Sequence, residues 1–280
     1  MANLAVLRPH QWLKNILVAL PVIALHRFNP YQVIGVALAF MSFSLAASAI
    51  YLVNDVLDLD YDRAHPTKCH RPIAAGKFPI NHALFIAAVL AIGAFDVAVS
   101  LPVGFMLTLA GYLALAMVYS LYFKHQLMAD VIVLAMLYGV RVVAGALATG
   151  ISLSHWLIGF CFFLFLCLAL VKRVTENSGH MPGRAYIMPD LHTMTSLMIA
   201  SGFTAVLTLA LYINSPDVMP LYRHPQYLWG ICILLVYWLG RTFLLTARGK
   251  MHDDPVIFVA TDRVSLLTGA LAAVIFLVAL

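Results

Sequence analysis

The 280 residues are 63% hydrophobic and 10% charged, with a mean hydropathy of +0.93, whereas an ordinary soluble domain is ~45–50% apolar and ~25% charged. This excludes a water-soluble globular fold, which needs more polar surface, and a disordered chain, which needs low hydrophobicity. The net charge of +5 does not indicate nucleic-acid binding, because the basic residues fall in short breaks between apolar runs rather than along one stripe.

The amino-terminal segment has the outline of a signal peptide, Arg8 and Lys14 before the run from Ile16 to Leu25. Pro21 within the run and the absence of a small-residue cleavage site before His26-Arg27-Phe28 predict a retained first span instead. Counting this one, nine stretches are long and apolar enough to cross ~30 Å of hydrocarbon: 14–28, 32–53, 82–101, 103–122, 128–148, 155–172, 192–213, 227–246 and 263–280. The expectation is an all-α polytopic membrane protein. Cys69, Cys161, Cys167 and Cys232 lack CxxC spacing and read as buried small hydrophobes, not as a disulfide framework or zinc site.

Alternation of nine spans puts Arg8, Lys14, Arg63, Lys68, Arg71, Lys77, Lys124, Lys172, Arg173, Arg184, Arg241, Arg248, Lys250 and Arg263 on one side, 14 of the 17 Lys and Arg. The positive-inside rule makes that side cytoplasmic. Most carboxylates fall there too, which the orientation rule does not require. Clusters of both signs on one face suit a polyanion accompanied by a divalent cation.

The second stretch ends in Asn54-Asp55-Val56-Leu57-Asp58-Leu59-Asp60-Tyr61-Asp62. At ~100° per residue Asp55, Asp58 and Asp62 share one helix face, with Asn54 at its edge, and three like charges so placed repel unless a counter-ion joins them. Hard oxygen donors suit Mg²⁺, which bridges carboxylates to substrate phosphates. Arg63, Lys68, Arg71 and Lys77 follow in the segment HPTKCHRPIAAGKFPI and its flanks. Arg forks onto phosphate oxygens and Lys acts as a point charge. The bland alternative is a solvated juxtamembrane loop with paired charges.

The pattern N-D-x-x-D-x-x-x-D followed by HPTKCHRPIAAG resembles the first aspartate-rich motif of the UbiA superfamily of intramembrane prenyltransferases. The resemblance implies nine helices around a central cavity open to the cytoplasm, one UbiA-like domain over residues 1–280, and Mg²⁺ held by Asn54, Asp55, Asp58 and Asp62, the three aspartates being the catalytic set. Many members carry a DxxxD motif after the sixth span. Here that place holds Lys172-Arg173-Val174-Thr175-Glu176 and then Gly183-Arg184-Ala185-Tyr186. With RPHQWLKN at 8–15 and YSLYFK at 119–124, this is similar to the branch that transfers phosphoribose from phosphoribosyl pyrophosphate to a polyprenyl, decaprenyl-type, phosphate in the bacterial inner membrane. Bases in place of acids have a rationale, since that reaction gathers a diphosphate, a 5-phosphate and a lipid phosphate in one pocket.

On this reading the substrate-binding set is Lys14, Asn15, Asn54, Lys68, Arg71, Lys124, Arg141, Lys172, Arg173, Glu176, Arg184 and Tyr186. Each has a competing role. Lys14 suits an interfacial snorkelling lysine, Lys172 and Arg173 suit positive-inside anchoring, and Arg184 and Tyr186 suit an exposed loop. Arg141 lies inside a span and needs a partner, structural or ligand. Asp130 is either a helix-terminal anion or part of the site. Ala144, Gly145, Ala146, Ala148 and Gly150 suit close helix contact better than a phosphate cradle. The partners expected are phosphoribosyl pyrophosphate, polyprenyl phosphate and membrane lipids, without nucleic acid; composition leaves a homo-oligomer open. Two rival readings are prenyl transfer from a polyprenyl diphosphate to an aromatic acceptor, and a transporter or lipid-binding protein, although one-sided charge argues against alternating access.

Overall fold

A computed structural model of the chain describes residues 6–26, 28–177, 186–216, 218–251 and 254–280. Its described residues form helices and connecting turns. A 3-10 stretch over Pro9–Ala19 leads into α1 (Leu20–Ala24), followed by α2 (Pro30–Leu57), α3 (Leu59–Ala64), α4 (Ile80–Ala98), α5 (Val103–Leu121), α6 (Ala129–Thr149), α7 (His155–Asn177), α8 (Asp190–Ile213), α9 (Trp229–Ala247), α10 (Pro255–Thr261) and α11 (Arg263–Ala279).

Each of the nine apolar stretches is occupied by helix. Among the described residues seven helices are long and apolar enough to cross a membrane alone. The last expected span joins them only with α10, which meets α11 at a bend of 79°. The first differs in kind. In place of a continuous α-helix over 14–28, the chain runs as the 3-10 stretch and then five α-helical residues.

Local chemistry explains the boundaries. Asn29 caps α2, its Oδ1 accepting from Gln32 N at 3.0 Å, and Pro30 occupies the first helical position, where no N–H is needed. Pro79 and Pro102 immediately precede α4 and α5. Gly150, at φ 67°, terminates α6 in the left-handed region that glycine enters without strain. Asp254 caps α10 through Val256 N at 3.1 Å, and Asp262 caps α11 through Ser265 N at 2.8 Å.

The chain divides into two compact units. The first holds the chain up to Gln126 and returns for Val140–Ser152, the second half of α6. Here α2 packs on α4, on α5 and on the 3-10 stretch, with Leu52, Ala49, Ile73, Ala83 and Ala87 buried together. Polar side chains tie the 3-10 stretch to α2: Trp12 Nε1 donates to Ser48 Oγ at 2.9 Å and Asn15 Nδ2 to Ser44 Oγ at 3.1 Å. On its other side comes Gly145 of α6, where a Cβ would sit 1.9 Å from Val18 O. Ala144, Ala146 and Ala148 are buried beside it, so these small residues serve close packing, as expected.

The second unit holds Leu127–Gly139, the first half of α6, with the chain from Leu153 through α7 and that from Tyr186 to the end. Its core gathers Val131, Cys167, Leu170, Val171, Met194, Met198, Leu239 and Phe243. In it Arg241 forks onto Asp262 at 2.7 and 2.9 Å, fixing the α10–α11 bend. Cys161, Cys167 and Cys232 are buried, as their reading as small hydrophobes expects, whereas Cys69 is only half-buried, in the turn that follows α3.

Candidate functional site

In the first unit the acidic end of α2 carries straight into α3. Asp58 sits at the junction (φ −93°, ψ 11°), yet the backbone ladder persists, Asp58 N bonding Asn54 O and Asp62 N bonding Asp58 O, each at 2.8 Å. The side chains of Asp55 and Asp62 are 7% and 4% exposed, that of Asp58 33%. Buried carboxylates need compensation. Arg71 Nη1 supplies it to two of them, lying 2.6 Å from Asp62 Oδ2 and 3.3 Å from Asp55 Oδ1. Asp58 pairs instead with Lys124, just past α5.

Arg8, which the sequence reading did not select, donates to Asp55 Oδ1 at 2.5 Å and lies over the Tyr51 ring, 5.5 Å from its centroid. Its backbone is left-handed, with φ 50°, an uncommon conformation for a residue with a Cβ. The available signal was its place at the head of RPHQWLKN, but sequence shows neither that strain nor its target. Lys68 opens a short turn in which its N–H and that of Thr67 both donate to His65 Nδ1, at 3.3 and 3.2 Å.

Among the described residues no three His, Cys, Asp or Glu side chains converge into a group that could hold a metal by themselves. The three aspartates have different cation partners, Asp55 and Asp62 sharing one guanidinium and Asp58 taking an ammonium. The donor chemistry nevertheless fits Mg²⁺. Asn54 Oδ1 is buried without a hydrogen-bond partner beside these carboxylates, and Mg²⁺ takes one or two carboxylates, completing its shell with water and substrate phosphate.

Deeper in the same unit, Arg141 donates from Nε to Asn15 Oδ1 at 2.8 Å and from Nη2 to Tyr112 at 3.0 Å. Its guanidinium carbon lies 4.8 Å from the Tyr112 centroid and 5.9 Å from that of Phe43. Arg141 thus joins α6, α5 and the 3-10 stretch. Lys14 is only 7% exposed, unlike a lysine snorkelled to the interface.

The second unit has its own charged centre. Arg173 of α7, 2% exposed, donates from Nε and Nη2 to the two oxygens of Asp130 at 2.5 and 3.0 Å. Its Nη1 donates to Glu176, one turn farther along α7. Asp130 lies in the first turn of α6, where a helix favours negative charge, which is the helix-terminal role weighed for it. The Tyr186 hydroxyl accepts from Met128 N at 3.3 Å, just ahead of α6. Lys172 is half-buried. Arg184, His252 and Asp253 fall outside the described residues.

Seven membrane-length helices among the described residues, with buried acids matched by arginine and lysine within each unit, define a polytopic membrane protein that carries charged groups in its interior. Residues 15–267 match the UbiA prenyltransferase family. The chain belongs to that family and is a membrane transferase. It is similar to the uncharacterized protein y4nM of Sinorhizobium fredii, with 33% identity over 286 residues covering 99% of this chain and 55% of that protein. It is also similar to the decaprenyl-phosphate phosphoribosyltransferase of Mycobacterium tuberculosis H37Rv, with 40% identity over 205 residues covering 71% of this chain and 67% of that one. The chain therefore spans about half the length of the first relative and two thirds of the second. A UbiA homolog from Archaeoglobus fulgidus solved with DMAPP and Mg²⁺ shares the fold, with a TM-score of 0.75, 19% identity, and coverage of 99% of this chain and 100% of that one.

Proposed function

We propose that the protein transfers 5-phosphoribose from phosphoribosyl pyrophosphate to a polyprenyl, decaprenyl-type, phosphate with release of pyrophosphate. It acts as one UbiA-like domain in the bacterial inner membrane, its site facing the cytoplasm. The observation that carries this reading is the convergence of Arg8, Arg71 and Lys124, from three separate segments, on the three carboxylates of α2 and α3. A cluster of both signs suits a metal-bound polyphosphate better than a neutral ligand. The place usually given to a second acidic motif holds a buried arginine, Arg173, which supports a donor with more phosphate than a prenyl diphosphate carries. The similarity to decaprenyl-phosphate phosphoribosyltransferases supports the same donor and acceptor.

Asn54, Asp55, Asp58 and Asp62 would hold Mg²⁺, which would supply positive charge against the negative charge of a departing diphosphate. Arg71 and Arg8 orient Asp55 and Asp62 and, as fixed cations, favour a leaving group that becomes more anionic. Lys124 does the same at Asp58. Substitution occurs at the anomeric carbon, and the acceptor phosphate is the nucleophile. Because that phosphate is ionised at neutral pH, no side chain needs to act as a strong base, and positioning with charge stabilisation supplies the rate. The apolar helices keep the polyprenyl tail in hydrocarbon while its head reaches the charged residues.

The decisive assay incubates purified protein, Mg²⁺ and polyprenyl phosphate with labelled phosphoribosyl pyrophosphate. Label in the lipid fraction is expected. An unlabelled lipid, together with prenylation of an aromatic acceptor, reverses the assignment.

A further inference from the structure

The segment between α3 and α4 delivers Arg71 to the acids, and one imidazole organises its backbone. His65 is extended (φ −88°, ψ 136°), as a residue ahead of proline tends to be. Its Nδ1 accepts from Thr67 N at 3.2 Å and from Lys68 N at 3.3 Å, and lies 3.2 Å from Thr67 Oγ1. Its carbonyl accepts from Cys69 N at 3.3 Å. An extended residue whose side chain takes the N–H groups two and three positions on, with proline directly after it, has the geometry of an asparagine or aspartate helix cap. In histidine Nδ1 is bonded to Cγ just as Oδ1 is in those residues. Backbone N–H groups only donate, so Nδ1 offers its lone pair and the ring hydrogen belongs on Nε2.

The turn so capped runs over Lys68–His70 and ends on Arg71, whose N–H donates to Lys68 O at 2.9 Å. Two residues on, Ile73 is buried with Leu52 and Ala83. Arg71 stands between these two anchors with 28% of its side chain exposed, so packing around the guanidinium does not by itself explain why one nitrogen meets Asp62 at 2.6 Å and Asp55 at 3.3 Å. The direction of the chain entering Arg71 does. We propose that His65 is a positioning residue whose neutral, Nε2-protonated ring caps this turn and so aims Arg71 between Asp55 and Asp62. Imidazole suits the task better than an aspartate cap, because it supplies the acceptor without adding a carboxylate three positions from Asp62 to compete for Arg71. The inference deepens the proposed function and rests on it only insofar as the substrate carries a diphosphate.

Three substitutions test it on the full chain in detergent. Asn places an acceptor where Nδ1 lies, Gln places one a bond farther out, and Ala has none. Hydrogen exchange of the peptide spanning residues 65–71 reads the cap, and titration calorimetry with inorganic pyrophosphate and Mg²⁺ reads Arg71. His65→Ala and His65→Gln should exchange about tenfold faster at the Thr67 and Lys68 amides and bind pyrophosphate about tenfold more weakly, a difference of ~1.4 kcal/mol. His65→Asn should restore both. In an Arg71→Ala background, His65→Ala should weaken pyrophosphate binding no further, because the residue it positions is gone. Ring-nitrogen magnetic resonance of isotope-labelled histidine, with the His65 signals assigned by their loss in His65→Asn, should show hydrogen on Nε2. Hydrogen on Nδ1, equal losses in all three variants, a His65→Ala penalty that persists without Arg71, or a wild type that does not bind pyrophosphate overturns the proposal. If the variants separate as expected while the protein prenylates an aromatic acceptor rather than labelling polyprenyl phosphate, His65 keeps its role and the phosphoribosyl assignment falls. Transfer of phosphoribose with His65→Ala as tight for pyrophosphate as the wild type gives the reverse.

Discussion

Arg8 reaches across 47 positions of sequence to donate to Asp55 Oδ1 at 2.5 Å, tying the chain just ahead of the 3-10 stretch to the acidic end of α2. A hydrogen bond to a charged group contributes ~1.5–3 kcal/mol. Arg8→Ala should therefore lower kcat/KM for the phosphate donor by about ten- to a hundredfold, at ~1.4 kcal/mol per tenfold. Steady-state kinetics at saturating lipid measures this, and wild-type efficiency in the variant removes Arg8 from the site.

Asp55→Ala and Asp58→Ala should each abolish Mg²⁺-dependent turnover while leaving a folded protein. Melting curves in detergent separate lost chemistry from lost structure. Full transfer activity in either variant contradicts the metal role assigned to these carboxylates.

Because one Arg71 nitrogen serves Asp62 at 2.6 Å, while Asp58 pairs with Lys124, the effects on stability should separate. Arg71→Ala and Asp62→Ala should couple by ~0.5–3 kcal/mol in a double-mutant cycle. Arg71→Ala and Asp58→Ala should be close to additive. Denaturation in mixed micelles reads both cycles, and equal couplings would refute the division of the acids between the two cations.

Gly145→Ala should fail to fold or lose several kcal/mol, because the new Cβ would lie 1.9 Å from the backbone oxygen of Val18 and no side-chain rotation relieves that overlap. Gly111 has no atom within 4 Å of the same built position, so Gly111→Ala should be neutral or stabilise α5 by ~0.5–1 kcal/mol. Expression level and melting temperature compare the two.

Arg141→Ala should lower the melting temperature markedly, since it strands Asn15 and Tyr112, and an unsatisfied buried polar group costs ~1–3 kcal/mol. The exposed neighbour of the acids, Arg63, donates to Ala74 O at a long 3.4 Å, and its alanine variant should melt like the wild type.

The spans were legible because lipid leaves a chain one way to satisfy its backbone, so any apolar run near twenty residues reads as helix. The Asn54–Asp62 run was legible for the opposite reason, since carboxylates continuing such a helix demand a partner. Sequence could not say which partner. Lys124 meets Asp58 across 66 positions and Arg173 meets Asp130 across 43, and chain separation carries no mark of such pairing. The 79° turn at Asp262 was hidden too, because Asp-Arg ahead of an apolar run equally begins a straight span. Arg8 was passed over as an orientation charge, a role that composition alone explains well.

The 3-10 form of Pro9–Ala19 also has a geometric reason. Trp12 and Asn15 are one 3-10 turn apart, their acceptors Ser48 and Ser44 one α-turn apart in the reverse sense. Three residues at ~2.0 Å and four at ~1.5 Å both advance ~6 Å. Two helices of unlike pitch running antiparallel thus mesh like a vernier, with coincidences at the tryptophan and the asparagine. Rewinding the stretch into an ordinary α-helix would shorten one scale against the other by ~1.5 Å over this interval, and the two teeth could no longer engage together.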